Sequence, residues 1–361
     1  MSGSSDDDGE FENVSGKIDD SDDNDDNMSI ASMRTSKPSW RKTSFVVSET
    51  SVTFTGPNVE APVNMETKTP LQYFKKFVSD DMLQNLVTST NEYSVQKSGN
   101  SININKKEIE QLIGMFFHMG LVRMSGVRQY WESATAYSSV CDVMSCNQFQ
   151  LLLRMLHFVN NSLVSDNDKR DKLWKIRPWL EKMRENCQKH IPEEHNSIDE
   201  MMCKYRGRTS PIRQYIKSKP HPWEFKVWCR AGDSGILYDF DVYQGENGKR
   251  SELGRGADVI LNLTSTLAYH ANYKIYTDNL FTSLKLLLQL KERGMHYTGS
   301  VRKNRLSGCN LKEEKILKKT GRGSYDHRVE QNSNIVAVRW FDNKAVTLFS
   351  TLIGIEPIMP A

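Results

Sequence analysis

The order of strand-like and helix-like segments after residue 191 constrains the fold of this chain more than any other feature. β-Branched and aromatic residues, with Gly-Asp or Gly-Glu turns between them, predict three consecutive strands. Two helical segments follow, and each of them precedes one more strand. In chain order the segments are "NSIDEMMCKY", "FKVWCRA", "GILYDFDVYQG", the helix "ADVILNLTSTLAYH", the strand "YKIYTD", the helix "TSLKLLLQLKERG" and the strand "HYTGSVR".

This succession describes an α/β sheet that begins with antiparallel strands. It matches a ribonuclease-H-like fold, although other α/β folds share parts of the same order. We therefore expect a ribonuclease-H-like domain over residues 191–361. The part at about 302–350 contains a basic loop and two more strand candidates, "NIVAVRW" and "KAVTLFS". We expect it to form an insertion beside the sheet.

The preceding region, residues 66–190, has the periodicity of amphipathic helices and is predicted to be all-helical. In its clearest helix, "NKKEIEQLIGMFFHMG", apolar residues recur at positions i, i+3, i+4, i+7 and i+8. Asn105 and Glu108 are spaced to form a capping box at the start of this helix, and we expect Gly120 to end it. Further helices are predicted in "TPLQYFKKFVSDDMLQNLVTSTNEYS", "SCNQFQLLLRMLHFVNN" and "WKIRPWLEKMRENCQKH".

The N-terminal region, residues 1–65, lacks periodicity and is rich in Ser, Asp and Asn, which predicts a disordered acidic tail. Residues 1–30 contain eleven acidic residues and one lysine, a charge of −10, so the remaining residues carry +13 of the net charge of +3. A basic body favours a polyanionic partner, with nucleic acid first, although mildly basic globular proteins are common. Within the tail, "SWRKTS" is either a short basic contact or a linker.

Composition disfavours several other classes of protein. The chain has no run of about 18 apolar residues, which a membrane-spanning helix would need, and its acidic start is unlike a signal peptide. The six cysteines are scattered without a CxxC pair, so neither a zinc site nor a disulfide framework is indicated. We expect a protein of a reducing intracellular compartment, without a membrane partner or a small-molecule cofactor.

Two carboxylates are placed where strands of such a fold converge. Asp199 lies within the first predicted strand and Asp278 ends the fourth, and these two strands are neighbours in a ribonuclease-H-like sheet. Two converging carboxylates can share Mg²⁺ or Mn²⁺, which prefer oxygen ligands. Such ions activate a water or a 3′-hydroxyl in phosphodiester transfer. Glu200 points to the opposite face of the strand and is less suited as a ligand.

Each aspartate also has a structural interpretation. Asp278 could cap the helix that follows it, although Thr282 and Ser283 are available for that role. Asp199 could occupy a surface position of its strand or form a salt bridge.

Basic residues follow Asp199 directly. Residues 201–223 contain no acidic residue, and Tyr205, Tyr215 and Trp223 are interleaved with the basic side chains. This pattern favours contacts with DNA phosphates, and the alternative is a solvated turn between strands. The candidate DNA-binding residues in this stretch are Lys204, Arg206, Arg208, Arg213, Lys217 and Lys219. A second basic cluster consists of Arg302, Lys303 and Arg305.

Five motifs in order resemble the piggyBac transposases, and more closely their domesticated, transposable-element-derived members. They are "TPLQYFKKFV", "MGLVRMSGVRQYW", "LRMLHFVNN", "SIDEMMCKYRGR...KSKPHPWEFKVW" and "YTDNLFTSLKLLLQLKERGMHYTGSVRKNR", and the resemblance covers residues 70–361. It implies a DDE nuclease and strand-transfer enzyme of DNA recombination in the nucleus. Asp199 and Asp278 would be its first two catalytic, metal-binding carboxylates. The helical region would serve dimerisation and DNA binding, with a homodimer as the expected assembly.

The chain also departs from that family. The third carboxylate of the family follows the insertion in a Gly-Gly-Val-Asp-like motif, which this sequence does not contain, and Asp342 and Glu356 lack that context. The C-terminal helices and the Cys-rich zinc-binding tail of the family are absent as well. We therefore expect a truncated piggyBac-derived protein that binds DNA but does not transpose alone. The alternatives are an active DDE transposase or nuclease and a non-catalytic protein-interaction module.

Overall fold

The structure, a computed structural model, describes residues 37–57, 67–205, 207, 210, 212–215, 223–245 and 251–356. These residues form two compact units. One combines residues 192–356 with residues 37–57, and the other contains residues 67–191. The first 36 residues of the predicted acidic tail, and residues 58–66, lie outside the described residues.

Among the described residues, ten strands form one sheet in the first unit. The strands are β1 (Trp40–Arg41), β2 (His195–Lys204), β3 (Gln214–Tyr215), β4 (Trp223–Gly232), β5 (Leu237–Val242), β6 (Lys274–Thr277), β7 (His296–Ser300), β8 (Tyr325–Glu330), β9 (Ile335–Phe341) and β10 (Ala345–Ser350). Their order is β1-β8-β9-β10-β7-β6-β2-β4-β3, with β5 also paired to β4. Strands β2, β4 and β5 are antiparallel neighbours, and β6 lies parallel to both β2 and β7. The expected ribonuclease-H-like arrangement is confirmed.

Residues 37–57, here called the N-terminal strap, were expected to be disordered, and the structure instead places them against the sheet. The strap contains β1, which pairs with β8, and a short helix α1 (Glu49–Val52). The Trp40 ring stacks on Phe349 at a centroid distance of 5.6 Å, and the Phe54 ring meets the edge of Tyr273 at 5.0 Å. Polar composition hides this order, because the strap is held by main-chain hydrogen bonds and two aromatic anchors rather than by a periodic apolar face.

The second unit is helical. Its helices are α2 (Pro70–Phe77), α3 (Asp80–Ser98), α4 (Lys106–Leu121), α5 (Ser138–Cys141), α6 (Cys146–Met155) and α7 (Arg177–Gln188). The predicted capping box of α4 is confirmed, since Asn105 and Glu108 each accept the main-chain N–H of the other. The expected end at Gly120 is wrong, because the helix continues to Leu121 and Gly120 does not adopt the left-handed conformation of a helix-terminating glycine. No helix of the described residues is both long and apolar enough to cross a membrane.

The two faces of the sheet differ in what covers them. Helices α8 (Arg255–Leu263) and α9 (Leu284–Glu292) pack on one face, here called the core face, where Ile198, Ile275 and Phe349 are fully buried. Alternate residues of each strand point to the opposite face, here called the polar face. The register sets Ser197, Tyr276, Thr298 and Ser350 side by side on the polar face.

The segment expected beside the sheet instead continues it. Strand β10 pairs antiparallel with β7, so β8, β9 and β10 extend the same sheet beyond β7, with helix α10 (Glu314–Thr320) attached. The two predicted strands correspond to β9 and β10. Strand β8 was not predicted because its sequence, "YDHRVE", is largely polar. Its buried carboxylates are satisfied by hydrogen bonds, since Asp326 accepts from Lys312 N and Arg328, and Glu330 accepts from main-chain N–H groups of the next turn.

Candidate active site

Asp199 and Asp278 occupy matching positions on neighbouring parallel strands. The last paired residues of β2 and β6 are Ile198 and Thr277, and an aspartate follows each of them. Equivalent positions of adjacent strands lie about 4.8 Å apart and point to the same face. Because Ile198 faces the core, both aspartates lie on the polar face, where both are exposed. The predicted neighbourhood of the first and fourth strands is confirmed, and a role in metal binding stays a prediction.

Asp278 does not cap the helix that follows it. Ser283 is the N-cap of α9, and its hydroxyl accepts the Leu286 N–H at 3.3 Å. Asp278 instead accepts the Leu280 N–H through Oδ1 at 2.8 Å, which closes a tight turn directly after β6. The capping interpretation is therefore wrong. The Asp278 side chain stays exposed in this turn.

A buried tyrosine fixes the turn that carries Asp278. The Thr282 hydroxyl donates to the Asp278 main-chain oxygen at 2.9 Å and shares a hydrogen bond of 2.9 Å with the Tyr297 hydroxyl. Burial raises the pKa of Tyr297 to about 12, so this hydroxyl remains protonated at neutral pH. A Cβ at Gly299 would lie 2.6 Å from Thr282 Oγ1, so the close approach of strand and turn requires glycine. These positioning residues were not predictable from the sequence, because only the fold brings them together.

Partial desolvation raises the pKa of Asp278 above its ordinary value. The hydrogen bond from the Leu280 N–H opposes this rise, the negative charges of Asp199 and Glu200 add to it, and Arg302 opposes it. The carboxylates therefore lie close enough to repel one another. A site that holds negative charges together against repulsion has an affinity for cations.

Glu200 contributes to this charge although its position on the strand argued against it. Its side chain forms an ion pair with Lys226 of β4, with 2.8 Å between Lys226 Nζ and Glu200 Oε2, and both side chains are mostly buried. The pair explains how a carboxylate next to Asp199 is tolerated within the sheet. The charge pattern was visible in the sequence, but the partner on β4 was not.

The second predicted basic cluster borders the Asp278 turn. Arg302 Nε donates to Asn279 Oδ1 at 3.2 Å, and Arg305 Nη1 donates to the Leu280 main-chain oxygen at 2.8 Å. Lys303, between them, is exposed. Asp278 follows β6, and Asp199 on β2 lies beside it. Arg302, Lys303 and Arg305 follow β7, so two acidic and three basic residues lie at this end of the neighbouring strands.

The first basic stretch is described only in part. Arg206, Arg208, Lys217 and Lys219 lie outside the described residues. Lys204 is exposed at the end of β2. The Arg213 guanidinium lies over the Trp223 ring at 4.1 Å from its centroid, and the half-exposed Tyr215 ring lies 5.0 Å from Trp223. Arg213, Tyr215 and Trp223 therefore form one cluster at the β3–β4 pair, and their contact with DNA stays a prediction.

The donor atoms fit a hard divalent cation in kind but not in number. Asp199 and Asp278 offer carboxylate oxygens, which are the ligands of Mg²⁺. Within the described part of the chain, however, no group of three or more His, Cys, Asp or Glu side chains is arranged to hold a metal ion. Asp342 lies in the turn between β9 and β10, where it forms an ion pair with Arg322, and Glu356 lies beyond β10.

Comparisons with known proteins agree with this fold. The profile of the family described as Transposase IS4 matches residues 69–360. Human PiggyBac transposable element-derived protein 2 is 31% identical over 326 residues, and human PiggyBac transposable element-derived protein 3 is 32% identical over 326 residues. Each alignment covers 88% of this chain and 54% of the relative, so the chain spans about half the length of these proteins.

A solved structure has a similar fold. It is the piggyBac transposase synaptic complex with hairpin DNA, which superposes with a TM-score of 0.70 at 21% sequence identity. The superposition covers 81% of this chain and 63% of the transposase chain.

Proposed function

Because the chain belongs to the piggyBac transposase family, we propose that it is a transposable-element-derived protein that binds DNA at the aspartate end of its sheet. The observation that carries the proposal is the matched position of Asp199 and Asp278 on neighbouring parallel strands, with Arg302 and Arg305 bound to the turn beside them. The solved relative that contains DNA supports the choice of partner. Genomic DNA as the partner implies that the protein acts in the nucleus.

Each group has a distinct part in DNA binding. Exposed Lys303, next to the Asp278 turn, would meet phosphate oxygens there, and exposed Lys204 would meet them at the far end of β2. Arg302 and Arg305 hold the Asp278 turn through Asn279 and Leu280, so they position the carboxylate and keep positive charge next to it. The basic and acidic groups together favour a phosphodiester held above the sheet edge by arginine and lysine.

A divalent cation at this site would neutralise the negative charge of a phosphodiester and of its attacking and leaving oxygens. Asp199 and Asp278 would hold it, but two carboxylates leave most of its coordination to water. DDE chemistry needs a fully positioned ligand set. We therefore expect residues 1–361 alone to bind DNA, with Mg²⁺ or Mn²⁺ bound weakly, and not to catalyse strand transfer.

DNA binding is tested by fluorescence anisotropy of a labelled duplex with the full chain at a series of salt concentrations. The logarithm of the affinity should fall linearly with the logarithm of the salt concentration, because phosphate contacts release counterions. The double variant Lys303→Ala/Lys204→Ala should bind every sequence more weakly. The matched control is Lys37→Ala/Lys42→Ala on the strap, two exposed lysines away from the turn. Binding that does not respond to salt would contradict the proposal.

Catalysis is tested separately by incubating the chain with pre-cleaved DNA ends, a target plasmid and Mg²⁺ or Mn²⁺. No joined product is expected. Joining that disappears in Asp278→Asn would instead establish an active transposase, with further ligands supplied by a second polypeptide.

The helical unit favours a homodimer as the assembly that binds DNA. On helix α4, Phe117 and Leu121 lie one turn apart and are 60% and 82% exposed, whereas Ile109, Leu112 and Met115 of the same helix are buried. Large exposed apolar side chains on one helix are typical of protein contacts. Light scattering should give the mass of a dimer for the full chain and of a monomer for Phe117→Asp/Leu121→Asp.

A further inference from the structure

A row of exposed aromatic and apolar side chains crosses the β8–β10 extension. Tyr325 on β8 pairs with Trp340 on β9, and Trp340 pairs with Val346 on β10. The three residues are 37%, 46% and 42% exposed. Directly paired residues stand side by side on the same face of a sheet. The row is therefore a continuous platform, here called the aromatic row.

The aromatic row lies on the same face as the two aspartates. Trp340 and Val346 share a face with Leu348, which pairs with Ser300 of β7. Ser300 shares its face with Thr298, and Thr298 pairs with Tyr276, two residues before Asp278. The row also lies at the same end of the sheet, because β10 runs antiparallel to β7 and begins where β7 ends. Val346 is thus level with Arg302.

The distance between the two features suits a nucleic acid. Three strand-to-strand steps separate β6 from β9, which amounts to about 14 Å at about 4.8 Å per step. A DNA strand covers that length in roughly four stacked bases at about 3.4 Å each. A strand with one phosphate at the aspartates therefore places bases only a few nucleotides away over Trp340.

The extension also has the charge of a nucleic-acid surface. Residues 301–350 contain eleven Lys or Arg and five Asp or Glu, a net charge of +6. Lys344 is exposed in the turn next to Val346, and Arg322, exposed in the turn next to Tyr325, forms an ion pair with Asp342. Apolar aromatic rings framed by exposed cations are suited to bases with their phosphates, since rings stack on the bases and cations meet the backbone.

We propose that Trp340 and Tyr325 form a stacking site for unpaired bases of a DNA strand that passes the aspartate end of the sheet. The proposal rests on the proposed DNA binding and adds to it a preference for DNA with single-stranded segments. Stacking needs faces of bases that are free of their pairing partners, and a duplex exposes such faces only at ends, flaps and gaps. The site is tolerant of sequence, because every base has a π face.

The proposal is tested with two fluorescent probes, a blunt duplex and the same duplex with a single-stranded extension. Full-length Trp340→Ala should bind the extended probe roughly tenfold more weakly, because one stacked base is lost, and should bind the blunt duplex as before. Tyr325→Ala should show a smaller loss of the same kind. The slope of affinity against salt should stay unchanged in both variants, since no phosphate contact is removed.

Three control variants distinguish stacking from a structural role. Val346→Ala shortens a side chain of the same row without removing a ring, and it should weaken binding of the extended probe less than Tyr325→Ala does. Trp340→Phe keeps a ring and should retain most of the preference for the extended probe. Tyr269→Ala removes a ring that is 57% exposed elsewhere on the same unit, and it should change neither affinity.

The possible failures are distinguishable. Unchanged binding of the extended probe by Trp340→Ala and Tyr325→Ala, with both probes bound by the natural chain, would overturn the stacking site and leave DNA binding in place. An equal loss of both probes in Trp340→Ala, with a lowered melting temperature, would also overturn it in favour of a structural role. Failure of the natural chain to bind either probe would remove both proposals.

Discussion

The two ends of the polar face use charged side chains in opposite ways. At the strap end, Lys274 and His296 are directed at main-chain oxygens of the strap, at 2.6 Å from Val52 and 3.2 Å from Ser51, respectively. At the aspartate end, Asp199 and Asp278 accept hydrogen bonds from the N–H groups of Glu200 and Leu280, close to them in the chain.

The difference shows which charges serve the fold. Lys274 is 4% exposed and also forms an ion pair with Glu194. The Val52 main-chain oxygen of the strap therefore replaces a hydrogen bond to water that the ammonium group loses on burial. Asp278 stays accessible beside other carboxylates, and its raised pKa records an arrangement that is not optimal for stability. Local arrangements of this kind are typical of functional sites. The following experiments test this division, from the largest expected effect to the smallest.

Lys274→Ala should lower the free energy of unfolding by about 2–4 kcal/mol, because Glu194 and the Val52 carbonyl lose a buried partner. Urea denaturation followed by circular dichroism measures the loss. Lys315→Ala, at an exposed position of α10, is the control and should change stability by less than about 0.5 kcal/mol. Equal effects of the two variants would show that the strap contributes nothing at this point.

Gly299→Ala should lower the free energy of unfolding by about 1–3 kcal/mol, because the added methyl group meets Thr282 Oγ1 and the Thr277 carbonyl. The same variant should weaken DNA binding, since the Asp278 turn must shift. The matched control is Gly114→Ala in α4, where nothing lies within 4 Å of the new Cβ, and where alanine should stabilise the helix by about 0.5–1 kcal/mol. Thermal denaturation measures both changes, a lower melting temperature for Gly299→Ala and a higher one for Gly114→Ala.

Asp278→Asn and Asp326→Asn should show opposite dependences on pH. The folded-state pKa of Asp278 is raised, so its contribution to stability is present below the unfolded pKa and is lost as pH rises through the folded pKa. The asparagine variant avoids this loss, and its stability relative to the natural chain should increase upward from about pH 4.

Asp326 is the comparison within the same unit. Its pKa is lowered, because the hydrogen bonds from Lys312 N and Arg328 outweigh the desolvation that opposes them. It therefore stabilises the fold above the unfolded pKa, and this stability is lost as pH falls through the folded pKa. Asp326→Asn should be destabilising at pH 7, and the deficit should shrink on acidification. Denaturation curves with the same pH trend for both variants would contradict the distinction between a carboxylate that serves the fold and one that belongs to the candidate site.

Arg302→Ala should reduce the slope of the logarithm of DNA affinity against the logarithm of salt concentration by up to about one, and should weaken all sequences alike. Arg41→Ala, at an exposed position of the edge strand β1, should leave the slope unchanged. Anisotropy titrations at several salt concentrations measure both. A slope that changes only in Arg41→Ala would indicate that DNA contacts the strap and not the Asp278 turn.

Much of the fold was predictable because each element carries its own pattern. Strands β2, β4, β5, β6 and β7 and helices α8 and α9 correspond to the predicted segments, and the capping box of α4 follows from the spacing of Asn105 and Glu108. The end of α4 was not predictable from Gly120, since a glycine within a helix and a glycine that terminates one look alike in sequence. Strand β8 was not predicted because its sequence is largely polar. The hydrogen bonds that satisfy its buried Asp326 and Glu330 are visible only in the folded structure.

The two carboxylates of the candidate site were predictable from the sequence, whereas the residues that hold them in position were not. Asp199 and Asp278 follow from strand order, because the first and fourth strands are neighbours and an aspartate follows the last paired residue of each. The roles of Tyr297, Thr282 and Gly299 depend on contacts across two strands and a turn, which no local pattern records. The same holds for the aromatic row, where Tyr325 and Trp340 are separated by a turn and meet only through register.

The sequence by itself determined the order of strands and helices, and with it the positions of the two aspartates, because periodicity and turn residues act over a few neighbours. Only the tertiary structure decided which end of the polar face is covered and which stays open. Coverage depends on a strap with little apolar surface, whose main-chain oxygens lie opposite Lys274 and His296. Every residue has such oxygens, so their partners are chosen by the folded geometry and not by residue type.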